Sequence, residues 1–183
     1  IGAARAVVGA VWDPARAWAV RRVIRAARPD VVHVHNLFPA LSPAVIRAAA
    51  AEGAPVVMTL HNFRLLCLPA TLLRDGRVCE DCVGRLPWPG VVHGCYRGSR
   101  AASVPYFASL ALHRALGTFD LVARFIAVSG FVRDRYVEAG FAPERIVVKP
   151  NFAWPAARRE GPGETFVYLG RLSAEKGVDT LLR

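Results

Sequence analysis

Short β-branched runs alternate with helical stretches along most of the chain, and this alternation constrains the fold more than any other feature. Over Pro14–Ala27, Val20, Val23, Ile24 and Ala27 fall on one stripe, and Arg21 and Arg25, with Arg28 just beyond, on another. That spacing predicts an amphipathic helix. Arg28-Pro29-Asp30 stops it, because proline cannot continue a helix. Val31-Val32-His33-Val34-His35 then reads as a buried strand. Ser42-Pro43 reads as the start of a second helix, with serine as cap and proline at the first helical position. Residues 55–60 form the next apolar strand. Further on, the pattern predicts a helix over 106–116, a strand over 125–128, a helix over 131–138 and a strand over Ile146–Val148. Such an order predicts an α/β fold with a parallel sheet flanked by helices.

Residues 62–105 interrupt the pattern. They hold all four cysteines and an Asp75-Gly76 pair between two short apolar segments. Asp-Gly signals a two-residue hairpin turn. A stretch this long inside an α/β unit reads as an inserted functional or stabilised element. Cys79-Glu80-Asp81-Cys82 is a C-x-x-C directly after the hairpin, flanked by Cys67 and Cys95. Four thiolates can close a tetrahedral structural zinc site, with His93 as a spare ligand. The usual second C-x-x-C is absent, so reduced thiols and disulfides stay open as alternatives. The C-x-x-C neither follows a strand nor opens a helix in the thioredoxin manner. Arg64, Arg74, Arg77, Arg85, Arg97 and Arg100 surround the cysteines, with Trp88 and Tyr96 available for stacking. The alternative function is therefore a zinc-knuckle nucleic-acid-binding module. Its position inside an α/β domain argues against that alternative.

Residues 154–164 read as a linker, rich in proline, glycine and charge. A strand over 165–169 and a helix over 177–183 follow. Between them runs Gly170-Arg171-Leu172-Ser173-Ala174-Glu175-Lys176-Gly177. In open parallel sheets, ligands sit beyond the carboxyl ends of the strands. A helix start there suits a phosphate. Arg171 and Lys176 bring two cations to it, one able to bind bidentately and one a point charge.

This motif resembles the opening of the nucleotide-sugar domain in retaining glycosyltransferases of family 4, which have the GT-B fold of two Rossmann-like domains. Residues 31–36 resemble the Asp-Val-Val-His-Val-His strand of their acceptor-side domain. Thr59-Leu60-His61-Asn62 resembles the strand end that bears their active-site histidine. Residues 125–129 and 146–151 resemble the run to their inter-domain crossover. The resemblance implies an acceptor-side domain over 1–153 with the insert at 62–105, then the linker, then the start of a nucleotide-sugar-binding domain over 165–183. It implies transfer of a hexosyl-type sugar, with retention, from a UDP- or GDP-sugar to an acceptor hydroxyl, without a catalytic metal. Arg171 and Lys176 would stabilise the departing diphosphate, and His61 would stand in the cleft as the catalytic histidine. His33 and His35 share one strand face and are assigned no role. The family's glycine-rich loop and its glutamate pair are not in these 183 residues, so the chain reads as a fragment, inactive alone.

Composition limits the partners. A hydrophobic fraction of 54% excludes a disordered chain. The longest charge-free run, residues 31–46, contains Pro39 and Pro43 and is too broken to span a bilayer. Net charge is 24 − 14 = +10, carried almost wholly by arginine. Such an excess fits a solvated surface or attraction to phosphates. The family resemblance implies glycan or lipid-linked acceptors, as in cell-envelope or exopolysaccharide synthesis. The resulting expectation is a cytoplasmic enzyme, peripheral at the inner membrane face through Trp18 and the Arg21, Arg25, Arg28 stripe, with nucleic acid not expected as a partner.

Overall fold

A computed structural model of the chain describes residues 8–38, 40–152, 154, 161–172 and 176–183. It divides into two units, Ile1–Asn151 and Phe152–Arg183. The first contains helix α1 (Pro14–Ala27), strand β1 (Val32–His35), α2 (Ala44–Ala51), β2 (Val56–Leu60), the hairpin β3 (Leu73–Arg74) and β4 (Arg77–Val78), α3 (Trp88–Val92), α4 (Arg100–Ala115), β5 (Val122–Ala127), α5 (Gly130–Glu138) and β6 (Ile146–Val148). Strands β1, β2, β5 and β6 form one sheet in the order β1-β2-β5-β6, and every pair is parallel. Parallel neighbours cannot be joined by a tight turn, so crossovers containing helices connect them. The expected α/β class is what the chain adopts.

Local chemistry explains the boundaries. Asp13 caps α1 by accepting the Arg16 N–H at 3.0 Å, and Arg28 ends the helix in the left-handed region at φ 45°. Ser42 does not cap α2. It is fully buried, and its hydroxyl instead accepts the Asp13 N–H at 3.1 Å, tying the start of α1 to the start of α2. Asp75 and Gly76 both have positive φ, 52° and 73°, as a two-residue β-hairpin turn requires. Helix α4 starts earlier than expected, at Arg100, because Ser99 caps it through the Ala102 N–H. Pro105 lies within it near the N-terminal end, at the cost of one backbone bond.

Val56, Leu60, Ile46, Leu66, Leu68, Val122 and Tyr136 are among the core side chains buried on and around this sheet. Apolar burial on this scale contributes about 25 cal/mol per Å². Several polar side chains are buried with them, Ser42, Ser103 and His113 among them. His113 of α4 is fully buried, stacked on Trp12 at 5.2 Å between ring centroids. Its Nε2–H donates to the Val11 carbonyl at 3.1 Å, which leaves Nδ1 to accept the Thr118 hydroxyl at 2.9 Å. Burial lowers the His113 pKa below its usual 6.5. The folded chain therefore holds it neutral, while the unfolded chain takes up a proton below that pH. Stability should fall as the pH drops from about 7.5 to 5. Urea midpoints of the intact protein check this, and a His113→Asn variant should show a smaller fall. An equal fall in both would assign the acid sensitivity to other groups.

In the second unit, residues 165–169 do not join a sheet, contrary to the strand expected there. Phe166, Val167 and Leu169 are almost fully exposed. A strand needs a neighbour for its backbone groups, and the described residues of this unit supply none. A short helix, α6 (Val178–Leu181), follows Gly177, whose φ is 67°. Of the expected linker, residues 155–160 lie outside the described residues.

Candidate active site

Strands β1 and β2 run parallel with His35 paired opposite Thr59. Both therefore end at the same edge of the sheet, and the residues just past their ends meet there. Three side-chain pairs join them, each with a sequence separation of 26. His33 Nε2 lies 2.8 Å from Thr59 Oγ1. His35 Nδ1 lies 2.7 Å from His61 Nε2. Asn62 Nδ2–H donates to Asn36 Oδ1 at 3.0 Å. The sequence placed His61 at this strand end, and the structure does so. It also brings His35, Asn36 and Asn62 around it, which sequence reasoning missed. The signal was present in two parallel strands ending in His-Asn, but only their register makes it readable.

The turn after β2 is held from behind. Asn62 Oδ1 accepts the Arg64 N–H at 3.0 Å, the hydrogen bond that closes an Asx turn. The fully buried Tyr136 of α5 donates its hydroxyl to the Asn62 carbonyl at 2.8 Å. Arg64 lies over the ring of Tyr106 at 4.9 Å, a cation–π contact. Below this edge is a mainly apolar cavity of about 40 Å³, lined by Leu37, Met58, Leu110 and Phe119 with His61 and Asn62. It is too small for a ligand much larger than water.

Burial, and secondarily the charge of His35, lowers the His61 pKa below 6.5. Burial also lowers that of His33, aided by His35, His61 and Lys149. At neutral pH His61 is then an uncharged imidazole that can hydrogen-bond a hydroxyl through its remaining ring nitrogen.

Arg171 and Lys176 belong to the second unit, and both are exposed. The Arg171 carbonyl accepts the Tyr168 hydroxyl at 2.8 Å. Residues 173–175 between them lie outside the described residues.

The cysteine element packs as a unit. Cys67, Cys79, Cys82 and Cys95 are free thiols. The Cys67 sulfur faces the backbone N–H groups of Leu72, Thr71 and Ala70, and the Cys82 sulfur that of Gly90. Burial raises the Cys67 and Cys95 thiols and pushes Cys82 up to about 11, with the other three cysteines adding to the rise at Cys82. The four are thus neighbours. Among the described residues, however, no three His, Cys, Asp or Glu side chains are arranged to hold a metal ion. Gly90 is needed where it stands, because a Cβ there would lie 2.8 Å from the Leu68 side chain.

Of the six surrounding arginines, Arg64, Arg74 and Arg85 bond within the element, while Arg77, Arg97 and Arg100 are exposed. Arg64 donates to the Leu68 carbonyl at 2.5 Å, Arg74 pairs with Asp81 at 2.7 Å, and Arg85 bonds the Asp81 carbonyl. With no metal-holding cluster among the described residues, the zinc-knuckle nucleic-acid alternative is not favoured. On α1, Arg21 and Arg25 grip Glu52 at 2.5 and 2.6 Å, so the stripe with Arg28 carries 3 − 1 = +2 rather than three unopposed charges. No helix among the described residues is long and apolar enough to cross a membrane.

Residues 2–151 match the family model described as "Glycosyl transferase 4-like domain". The chain is 25% identical over 178 aligned positions to "Glycogen synthase 1" of Rhizobium meliloti (strain 1021). That alignment covers 83% of this chain and 37% of the relative, so the chain spans well under half of the relative's length. No solved structure matches the chain significantly.

Proposed function

The chain belongs to the glycosyl transferase 4-like domain family, and from that premise we propose that the protein transfers a sugar from a nucleotide-diphosphate donor to an acceptor hydroxyl, with retention. The observation that carries this reading is His61 at the carboxyl end of the interior strand β2, beside Asn36 and Asn62. Open α/β sheets take their ligands at that edge. A neutral imidazole flanked by two amides offers donors and acceptors without charge, which suits a polyhydroxyl ligand. The name of the related glycogen synthase supports a nucleotide sugar as donor and a glycan as acceptor. A UDP- or GDP-sugar, a hexosyl group, a cell-envelope or exopolysaccharide product and a cytoplasmic setting are finer parts of the same proposal. A membrane contact through α1 is not used, since Glu52 already engages two of its three arginines.

In this reading the protein's residues divide the work. His61 and the two asparagines orient hydroxyls at the transferred sugar. Arg171 and Lys176 stabilise the negative charge that grows on the departing diphosphate. The test incubates the intact protein with UDP- and GDP-sugars and oligosaccharide acceptors, and follows release of nucleoside diphosphate and the anomeric configuration of the product. Acceptor-dependent release with retention is expected. Inversion would overturn the mechanism, and no release with any donor would overturn the activity.

The four neighbouring thiols form the second part of the proposal, a structural zinc site. Zinc binding must displace protons that burial favours on Cys67, Cys82 and Cys95. Protein purified without chelator should carry about one zinc per chain, with affinity falling as pH is lowered. Elemental analysis without stoichiometric metal, together with four titratable thiols, removes this part and leaves the transferase reading intact.

A further inference from the structure

We propose that His35 is a positioning residue for His61: the two imidazoles share one proton between His35 Nδ1 and His61 Nε2, and this bond sets the tautomer and orientation of the ring at the cleft. The inference rests on the reading of this edge as a transferase cleft only for its kinetic consequence. The bond itself stands on geometry.

Two ring nitrogens 2.7 Å apart cannot both carry a proton, nor both present a lone pair, without repulsion. One donates and the other accepts. If His61 Nε2–H donates, its Nδ1 is left as an acceptor for a substrate hydroxyl. If His35 Nδ1–H donates, the His61 Nδ1 carries a proton and becomes a donor. Either way the free nitrogen of His61 has one defined character, decided by its partner. The rings lie 5.0 Å apart at 26°, so the bond also holds the plane of His61. The neighbouring pairs, His33 with Thr59 and Asn36 with Asn62, fasten the strand ends on both sides. They leave little play in which the imidazoles could separate.

Two variants of the intact protein test this. His35→Phe keeps an aromatic ring and removes the bond. His35→Asn places an amide near the position of Nδ1 and restores a bond without a titrating group. The Phe variant should lose about tenfold or more in kcat, with the donor KM changed by less than about threefold, and the Asn variant should return to within about threefold of wild type. In nitrogen NMR of ¹⁵N-histidine protein at neutral pH, one of the two facing nitrogens should carry the proton and the two should be coupled across the hydrogen bond, a coupling that the Phe variant loses. Unchanged kcat in the Phe variant, or no such coupling in wild type, overturns the proposal. If wild type transfers no sugar, the functional reading has failed, and the NMR coupling alone still decides the bond. If the Phe variant does not fold, the Asn variant carries the comparison.

Discussion

Replacing Lys176 by alanine in the intact protein is expected to lower sugar-transfer turnover about a hundredfold or more, as removal of one preorganised charge-stabilising group does elsewhere. Negative charge on the diphosphate rises as the sugar bond breaks, so a cation there stabilises the transition state more than the bound donor. Nucleotide affinity should accordingly fall less than the rate. Lys176 is exposed and lies one residue before Gly177, on the approach to α6. Its side chain is exposed, so the variant should fold as wild type does. Arg171→Lys should recover only part of the activity, because the planar bidentate fork is lost. Turnover near wild type in a folded Lys176→Ala protein would make the lysine a surface charge, and the diphosphate would have to be sought elsewhere.

A second large effect is expected on stability. Leu60 is 2% exposed, ends the strand that β1 and β5 flank, and immediately precedes His61. Leu60→Ala removes buried methyl groups and leaves a cavity next to the site, at a cost of about 3 kcal/mol. For a domain of this size the midpoint of thermal unfolding should drop by roughly 6–12 °C. Calorimetry on the intact protein measures it, and a drop below about 2 °C would mean that the surroundings collapse onto the smaller side chain. The same variant should loosen His61, whose backbone depends on the end of β2 for its place.

Most helices and strands of the first unit were legible in sequence because each carries its own signal; α3 and the first turn of α4 lie in the insert and were not read. The apolar and arginine stripes marked Pro14–Ala27, and the pair Asp75-Gly76 marked a hairpin whose two positive φ values the structure contains. Short-range chemistry also misled. Ser42-Pro43 has the form of a helix start, yet the Ser42 hydroxyl is taken by the backbone of Asp13, 29 residues away. Residues 165–169 have strand composition and no strand to pair with among the described residues of their unit. Composition reports what a segment can do, and the available partner determines which option is realised.

The candidate site divides along the same line. That His61 follows a buried strand and that four cysteines share one inserted element can be read along the chain, since both are statements about sequence neighbours. The meetings of His35 with His61 and of Asn36 with Asn62, and the grip of Glu52 on Arg21 and Arg25, arise from packing in three dimensions. Parallel strands carry no turn to set their register, so residues 26 apart are brought opposite each other by the packing of α2 and the sheet core rather than by local spacing. A histidine with no reading along one strand thereby becomes the partner of the histidine at the end of the next.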